Sequence, residues 1–261
     1  MFGFAHARKQ DGPCGARGHR AYAVGDVHGR ADLLDRILTE IDADMAKRPA
    51  RKTLLVFLGD LIDRGPSSAQ VIEKLRTYRR PDVKPVYLLG NHEEVLLRIL
   101  GGEASLIDKW RWVGGAECLR SYGVDPSRLT NLDETAALEL VRSAIPPEHA
   151  AFLRSFVDTC SFGDYLFVHA GIRPGVALDN QRQADLRWIR GAFLNDKSDH
   201  GVMVIHGHTI SREVDEQPNR IGVDTGAYVH GVLTALAIED SKRWYLAAEE
   251  LTAPIAVPQA H

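Results

Sequence analysis

Five short apolar runs in this chain each end abruptly in polar residues. Apolar, β-rich runs of four to eight residues bounded by turn signals predict buried strands. Because sites in open α/β sheets form beyond the carboxyl ends of strands, we expect these polar ends to share one site. The runs and their polar ends are Ala21–Val24 with Asp26 and His28; Thr53–Leu58 with Asp60, Asp63 and Arg64; Val86–Leu89 with Asn91, His92 and Glu93; Tyr165–Val168 with His169; and Val202–Ile205 with His206 and His208.

The segments between the first three runs have a helical period. Residues 31–47 and 67–78 each carry an apolar stripe opposite charged side chains, which indicates amphipathic helices, and Pro66 favours a helix start. The first 90 residues therefore predict strand, helix, strand, helix, strand. Right-handed crossovers between such strands give a largely parallel sheet.

The middle of the chain predicts helices. From Glu93 to about Phe156 no run matches the strands in strength, and strands resume at Tyr165. We predict a single α/β domain over residues 21–250 with a helical insertion at about 94–158 that covers the site and selects substrates. A flexible basic segment at 1–20 precedes it and a tail at 251–261 follows. The later strands are predicted at Val202, Ile221, Val232–Ile238 and Trp244–Leu246.

Two tryptophans in the insertion, Trp110 and Trp112, form an aromatic cluster with Arg111. A tryptophan buries a large apolar surface, so packing alone is the simpler explanation for at least one of them. The sequence does not say which of the two it is.

The composition is that of an ordinary globular protein and narrows the functional classes. Hydrophobic residues make up 44% of the 261 residues and charged residues 26%, with a net charge of −3. This balance does not favour a nucleic-acid or membrane partner, and no apolar run is long enough to span a bilayer. Three widely spaced cysteines without a C-x-x-C pair indicate inert thiols in a reducing compartment. We expect a cytoplasmic monomer.

Three polar blocks carry the candidate chemistry. In Asp26-Val27-His28 the two ligand-type residues are two apart, so in extended backbone both side chains point to the same side. A lone D-x-H pattern would usually be a helix cap beside a surface histidine. The blocks Gly59–Gly65 and Gly90–Glu93 have the same placement after a strand, however, and charges at buried strand ends cost stability unless they are paired or coordinated.

These blocks resemble the metallophosphoesterase motifs G-D-x-H-G, G-D-x-x-D-R-G and G-N-H-E, and His169 and Gly207-His208-Thr209 resemble the family's later histidine motifs. The likeness runs from about Tyr22 to Ile238. The forms with Arg64 and Glu93 are most similar to the serine/threonine phosphoprotein phosphatases of the compact, lambda-type bacterial branch. The resemblance implies a β-sandwich of mixed sheets flanked by helices, with a helical insertion.

The resemblance also implies a two-metal site. Asp26, His28 and Asp60 would bind the first ion, and Asp60 would bridge to a second ion bound by Asn91, His169 and His208. Ions about 3.5–4 Å apart clamp a phosphoryl group and generate hydroxide at neutral pH, which would attack directly. A mixed imidazole and oxygen donor set suits manganese best among the candidates, with iron or zinc as alternatives.

By its resemblance to the family, His92 would be the general acid that protonates the leaving oxygen, and Asp63 would orient the imidazole of His92. Arg64 and Asn91 would bind the substrate phosphate. Two divalent ions bring four positive charges, and Asp26, Asp60 and a bridging hydroxide bring three negative ones. The metal core therefore keeps a charge near +1, so further cations are needed to bind a phosphate dianion. Arg190 resembles the family's second phosphate-binding arginine, but Arg187 is three residues away and both stay open.

Three other residues resemble family positions outside the ligand set. His206 precedes the matching His208 and is expected to pack behind the site, and Asp224 and Glu93 are expected to support it. The implied function is hydrolysis of phosphoserine or phosphothreonine, with phosphotyrosine left open, in phosphoproteins or phosphopeptides and small phosphoesters in vitro. The alternatives are a symmetrical diadenosine tetraphosphate hydrolase, whose branch typically has Asp at position 93, and a non-catalytic, metal-stabilised binding module.

Overall fold

A computed structural model describes residues 12–251 as two five-stranded sheets packed face to face. The strands are β1 (His19–Val24), β2 (Lys52–Phe57), β3 (Val83–Tyr87), β4 (Thr159–Phe162), β5 (Tyr165–Val168), β6 (Met203–His206), β7 (Asp215–Glu216), β8 (Arg220–Gly222), β9 (Val232–Glu239) and β10 (Lys242–Glu249). The helices are α1 (Ala31–Ala46), α2 (Ser68–Thr77), α3 (Asn91–Gly101), α4 (Ile107–Trp110), α5 (Ala116–Ser121), α6 (Glu134–Ala144), α7 (Pro147–Arg154), α8 (Gln183–Trp188), α9 (Gly191–Leu194) and α10 (Ala227–His230).

The first sheet is mixed and has the order β10-β9-β1-β2-β3. Strands β1, β2 and β3 are parallel, as the strand–helix alternation predicts, and β9 and β10 extend the sheet beside β1 in antiparallel pairs. Successive residues of β1 enter different cores: Tyr22 and Val24 pack with the helices, while Ala21 and Ala23 pack toward the second sheet. Because successive side chains of a strand point to opposite faces, β1 is buried on both sides.

The second sheet has the order β4-β5-β6-β8-β7, with β5, β6 and β8 parallel. Phe167 and Ile205 face the first sheet, while Val168 and Val204 face the opposite way and pack against Phe193 of α9. The molecule is therefore layered as helices, sheet, sheet, helices. The predicted fold class is confirmed, although strand β4 was not predicted from the sequence.

The segment between β3 and β4 contains helices α3 to α7 and a π-helical turn at Arg111–Gly115. The two tryptophans of this segment differ completely in environment. Trp110 is fully buried, whereas the side chain of Trp112 is 82% exposed. Packing in the core therefore accounts for Trp110 but not for Trp112. The indole of Trp110 also has a polar partner in the site.

Several residues of the segment 1–20, which the sequence predicts to be flexible, make contacts with the rest of the fold. Strand β1 begins at His19, and Arg20 is buried with its guanidinium 2.5 Å from Glu239. The backbone N–H of Cys14 donates to Asp164 at 2.9 Å. Arg20 thus has an acidic partner 219 residues away, and the flexibility of the segment 1–20 stays a prediction. Residues 1–11 of that segment, and all of the expected tail except Leu251, lie outside the described part of the chain.

Among residues 12–251, the longest helix has 16 residues, and none of the helices has both the length and the apolar character that crossing a membrane requires.

Candidate metal and phosphoester site

The polar ends of five strands lie close together, and four of them line a cavity of about 320 Å³. The carboxyl ends of β1, β2, β3, β5 and β6 lie at the same edge of the two packed sheets, which brings distant blocks of the sequence together. Residues from four of these blocks line the cavity, and further lining comes from the segments after β8 and α8. The lining residues are His28, Asp60, Arg64, Asn91, His92, Arg190, His208, Thr209, Ile210, Asp224 and Tyr228.

The backbone at the site is strained. Eight non-glycine residues of the described chain have positive φ, and five of them belong to the site: His28, Asp60, Asp63, Arg64 and His208. Each such residue costs about 1–3 kcal/mol and persists only when the surrounding structure holds it. This concentration in the strand-end turns indicates that the turns are shaped for the placement of these side chains.

Asp60 lies at the centre of two groups of potential metal ligands. Ligand atoms of His28, Asp60 and His92 form one group, and those of Asp60, His169 and His208 form the other, with all atoms of each group within 4.8 Å of one another. Nε2 of His28 lies 3.7 Å from Oδ2 of Asp60, and Nε2 of His169 lies 3.4 Å from its Oδ1. The carboxylate therefore faces a different histidine with each oxygen, as a bridging ligand would.

The ring orientations of two histidines leave Nε2 directed into the site. Nδ1 of His28 donates to the carbonyl of Ile62 at 2.9 Å, and Nδ1 of His169 donates to the carbonyl of Leu58 at 2.8 Å. Such backbone contacts fix the tautomer and orientation of metal-binding histidines. Nε2 of His169 also lies 3.0 Å from Oδ1 of Asn91, which places the predicted amide ligand beside the second group.

Nε2 of His208 is buried and has no hydrogen-bond partner among the described residues. Burial lowers the pKa of His208 to about 3, as it does for His28, so both imidazoles are neutral donors. A buried nitrogen without a partner costs free energy unless another group satisfies it. The residues present therefore fit a divalent metal centre.

Asp26 is placed differently from the other predicted ligands. Its carboxylate is buried, belongs to neither of the two groups, and accepts the backbone N–H of His208 at 3.0 and 3.2 Å. Burial, Asp224 and Asp60 raise its pKa well above the usual range. A nearby cation would relieve this cost, so Asp26 as a ligand stays a prediction.

His92 forms a buried pair with Asp63. Its Nδ1 lies 2.6 Å from Oδ2 of Asp63, and its Nε2 lies 4.0 Å from Asp60 in the cavity. Burial opposes the charged ring, but Asp60 and the Asp63 hydrogen bond outweigh it and raise the pKa of His92 to about 9. The indole Nε1 of Trp110 donates to both oxygens of Asp63, at 3.0 and 3.2 Å. Sequence reasoning missed this role of Trp110, because nothing local links it to Asp63, 47 residues earlier.

Arg64 extends over the cavity and contacts Tyr228. Its Nη1 donates to the Tyr228 hydroxyl, its Cζ lies 4.6 Å from the centre of that ring, and its Nη2 lies 3.4 Å from Nε2 of His92. The Tyr228 ring also lies edge-on to His28, with centroids 5.0 Å apart. Tyr228 is a second missed residue, and its only sequence signal is its position shortly after Asp224-Thr225-Gly226.

The two candidate arginines after β5 have different surroundings. Arg190 lines the cavity. Arg187 instead points away: its Nε donates to Asp158 at 2.7 Å, and its Nη1 lies 3.4 Å from Glu94. Of the two, Arg190 is thus the one available to a bound phosphate.

The expected supporting residues occupy distinct positions. The Glu93 carboxylate is buried and accepts four backbone N–H groups, from Asp60, Leu61, Ile62 and Gly90. His206 is buried behind the site, where it contacts Arg220 at 3.3 Å and packs against Phe193. Asp224, by contrast, lines the cavity and accepts the N–H of Gly226 at 3.0 Å.

Comparisons with known proteins show the family of the chain. The family model for calcineurin-like phosphoesterases matches residues 19–232. The asymmetrical bis(5'-nucleosyl)-tetraphosphatase PrpE of Anoxybacillus flavithermus is 25% identical over 82% of this chain and 88% of its own length. Serine/threonine-protein phosphatase 1 of Salmonella typhimurium is 27% identical over 84% of this chain and 91% of its own length.

Two further matches are a relative that aligns over a shorter part of the chain and a solved structure. The symmetrical bis(5'-nucleosyl)-tetraphosphatase of Legionella pneumophila (strain Corby) is 43% identical, but over only 31% of this chain and 26% of its own length. The crystal structure of a putative diadenosine tetraphosphatase, 20% identical, superposes with a TM-score of 0.60 over 90% of this chain and 98% of that one. The last match supports the fold.

The chain belongs to the calcineurin-like phosphoesterase family, whose model covers most of its length. Its site is a divalent-metal phosphoesterase site, and the protein is a metal-dependent phosphoester hydrolase. The alternative of a non-catalytic binding module is not supported. Relatives with different substrates are about equally similar, so the comparisons leave the substrate open.

Proposed function

We propose that this protein is a two-metal phosphomonoesterase that hydrolyses phosphoserine and phosphothreonine in proteins or peptides. The observation that carries the proposal is the cavity lining, which combines two guanidinium groups, Arg64 and Arg190, with His92 beside the metal ligands. Two guanidinium groups suit the dianion of a single phosphomonoester.

In this proposal, Asp26, His28 and Asp60 hold one ion, and Asp60, Asn91, His169 and His208 hold the other. The donor set suits manganese, iron or zinc. When bound, the two ions supply the positive charge that polarises the phosphoryl group and the activated water that attacks it. The orphaned Nε2 of His208 supports this assignment.

The chain's own side chains would position and protonate the substrate. Arg64, Arg190 and Asn91 bind phosphate oxygens, and His92 gives its proton to the leaving oxygen from Nε2 while Asp63 holds Nδ1. A proton donor of this kind contributes about 10²–10⁴-fold to the rate. This contribution to the rate is greatest when the leaving group is an alkoxide, as in phosphoserine and phosphothreonine.

Asp224 adds a negative charge to the cavity that the sequence-based charge count did not include. Burial raises the pKa of its carboxyl to about 6. Whenever it is ionised, Asp224 offsets the small positive excess of the metal core. The two arginines therefore become more important for phosphate affinity than the count predicts.

Hydrolysis of a bis(5'-nucleosyl) tetraphosphate is the second candidate, and the similarity to the A. flavithermus and L. pneumophila enzymes favours it. Such a substrate carries several phosphate charges in a row. Within the described chain, however, the cavity has only two permanently cationic side chains. The phosphomonoester is for this reason our first choice.

Single-turnover hydrolysis in ¹⁸O-labelled water tests the proposal. Protein reconstituted with manganese should release phosphate from a phosphoserine peptide with one labelled oxygen and no phosphorylated protein. From diadenosine tetraphosphate, two molecules of ADP would indicate symmetrical cleavage, and ATP with AMP would indicate asymmetrical cleavage. Efficient dinucleotide cleavage without phosphate release from the peptide would replace the first proposal with the second.

A further inference from the structure

The segment Trp110–Gly115, which we call the insertion clasp, touches two different functional residues of the site. The side chain of Trp110 reaches Asp63 with its indole N–H at 3.0 Å. Four residues later, the carbonyl of Gly114 accepts the backbone N–H of Arg64 at 3.0 Å. Asp63 and Arg64 are neighbours in sequence, so the clasp holds both sides of one turn.

The clasp has a backbone shape that few sequences permit. It contains a π-helical turn in which Gly114 has a φ of 123°. A Cβ at Gly114 would lie 2.6 Å from Cγ and from the backbone N of Arg64, and a Cβ at Gly115 would lie 2.3 Å from the Trp110 ring. Both glycines are therefore required for close approach, and Gly114 is also required for its positive φ.

The turn held by the clasp is itself strained, because Asp63 and Arg64 have φ values of 70° and 68°. Asp63 is completely buried, and the nitrogen donors to its carboxylate are Nδ1 of His92 and the indole Nε1 of Trp110, with the buried Cys118 thiol beside it. Without the indole N–H, this carboxylate would lose one of its two nitrogen donors, and its orientation toward His92 would be less tightly held. Strained conformations persist only where neighbours over-determine them.

We propose that the insertion clasp is a positioning element of the active site. Trp110 acts through Asp63 on the proton donor His92, and Gly114 acts on the phosphate-binding Arg64. The inference rests on the proposed function, since it assumes that His92 protonates the leaving group. None of the cavity-lining residues belongs to the helical insertion, so the insertion would act on the site by setting the geometry of His92 and Arg64, the two side chains that meet the substrate.

Two substrates that differ only in their leaving group separate this role from a general structural one. A serine alkoxide needs a proton from His92, whereas p-nitrophenolate leaves without one. Trp110→Phe keeps the ring and removes the N–H. We expect it to lower kcat on a phosphoserine peptide by about 10–100-fold, and kcat on p-nitrophenyl phosphate by less than about threefold.

Trp112→Phe is the matched control, because Trp112 lies on the same turn but is exposed to solvent. It should leave both activities unchanged. Gly114→Ala should instead raise KM for both substrates, since it displaces Arg64. Metal content and Tm are measured for every variant, and Trp110→Phe should keep its metal.

The variant His92→Asn distinguishes a failure of the clasp inference from a failure of the proposed function. If His92→Asn loses activity selectively on the phosphoserine peptide but Trp110→Phe loses it equally on both substrates, or on neither, the clasp inference is wrong and the proposed function stands. If His92→Asn itself shows no selectivity, the proton-donor role is wrong, and the clasp inference falls with it.

Discussion

The guanidinium of Arg187 is held by the carboxylate of Asp158: Nε and Nη2 of the arginine lie 2.7 and 2.6 Å from Oδ1 of the aspartate. This ion pair joins the segment after β5 to the end of the helical insertion. It also removes Arg187 from the phosphate-binding candidates, because a second anion would have to displace Asp158.

Arg190→Ala should therefore weaken phosphate binding, whereas Arg187→Ala should not. We expect Arg190→Ala to raise the inhibition constant of inorganic phosphate by about 10–100-fold, the usual loss for a charged hydrogen-bonding partner. Arg187→Ala should change it by less than about threefold and lower Tm instead. Competitive inhibition by phosphate measures both variants, and the reverse pattern would assign the phosphate to Arg187.

His92→Asn should lower kcat on phosphoserine peptides by about 10²–10⁴-fold with the metal content unchanged. The metal measurement is essential because His92 lies within one of the two potential ligand groups, 4.0 Å from Asp60. Elemental analysis of the purified variant decides between the roles. Loss of an ion together with activity would make His92 a ligand and leave the proton donor unidentified.

His208→Ala should selectively remove one ion. The imidazole supplies a buried nitrogen that has no hydrogen-bond partner within residues 12–251, and the other group of ligands does not include it. We expect the manganese content to fall from about two ions per chain to about one. Mass spectrometry under native conditions counts the ions, with His206→Phe as a control at a buried histidine outside the cavity. Equal metal loss in both variants would mean that His208 acts only through folding.

Glu93→Gln should destabilise the fold without switching the substrate. The carboxylate accepts four backbone N–H groups, and an amide would replace one accepting oxygen with a competing donor. We expect a loss of about 2–5 kcal/mol in the free energy of unfolding, measured by denaturant titration.

Glu93→Asp tests whether this position marks the substrate, as the sequence comparison of branches indicates. Because Glu93 does not line the cavity, the shorter acid should lower stability and leave the ratio of peptide to dinucleotide hydrolysis unchanged. A shift of that ratio by more than about tenfold would show that Glu93 controls specificity through the strand-end turns that it holds.

The sequence predicts the polar strand ends well, because Asp, Asn or His directly after a buried strand costs free energy unless the side chain is paired or coordinated. It could not choose between Arg187 and Arg190, since the choice depends on Asp158, which is distant in sequence. Trp110 and Tyr228 were missed for the same reason: the contacts of Trp110 with Asp63, and of Tyr228 with Arg64 and His28, form only in the folded chain. Arg20, counted as part of a loose segment, is buried by its pairing with Glu239.

The most direct test of the proposed function compares kcat/KM for a phosphoserine peptide and for diadenosine tetraphosphate on one manganese-loaded preparation. The two-arginine cavity predicts a higher value for the peptide, and Arg190→Ala should reduce that value. A dinucleotide value at least about tenfold above that of the peptide would contradict the proposal and identify a dinucleoside polyphosphate hydrolase.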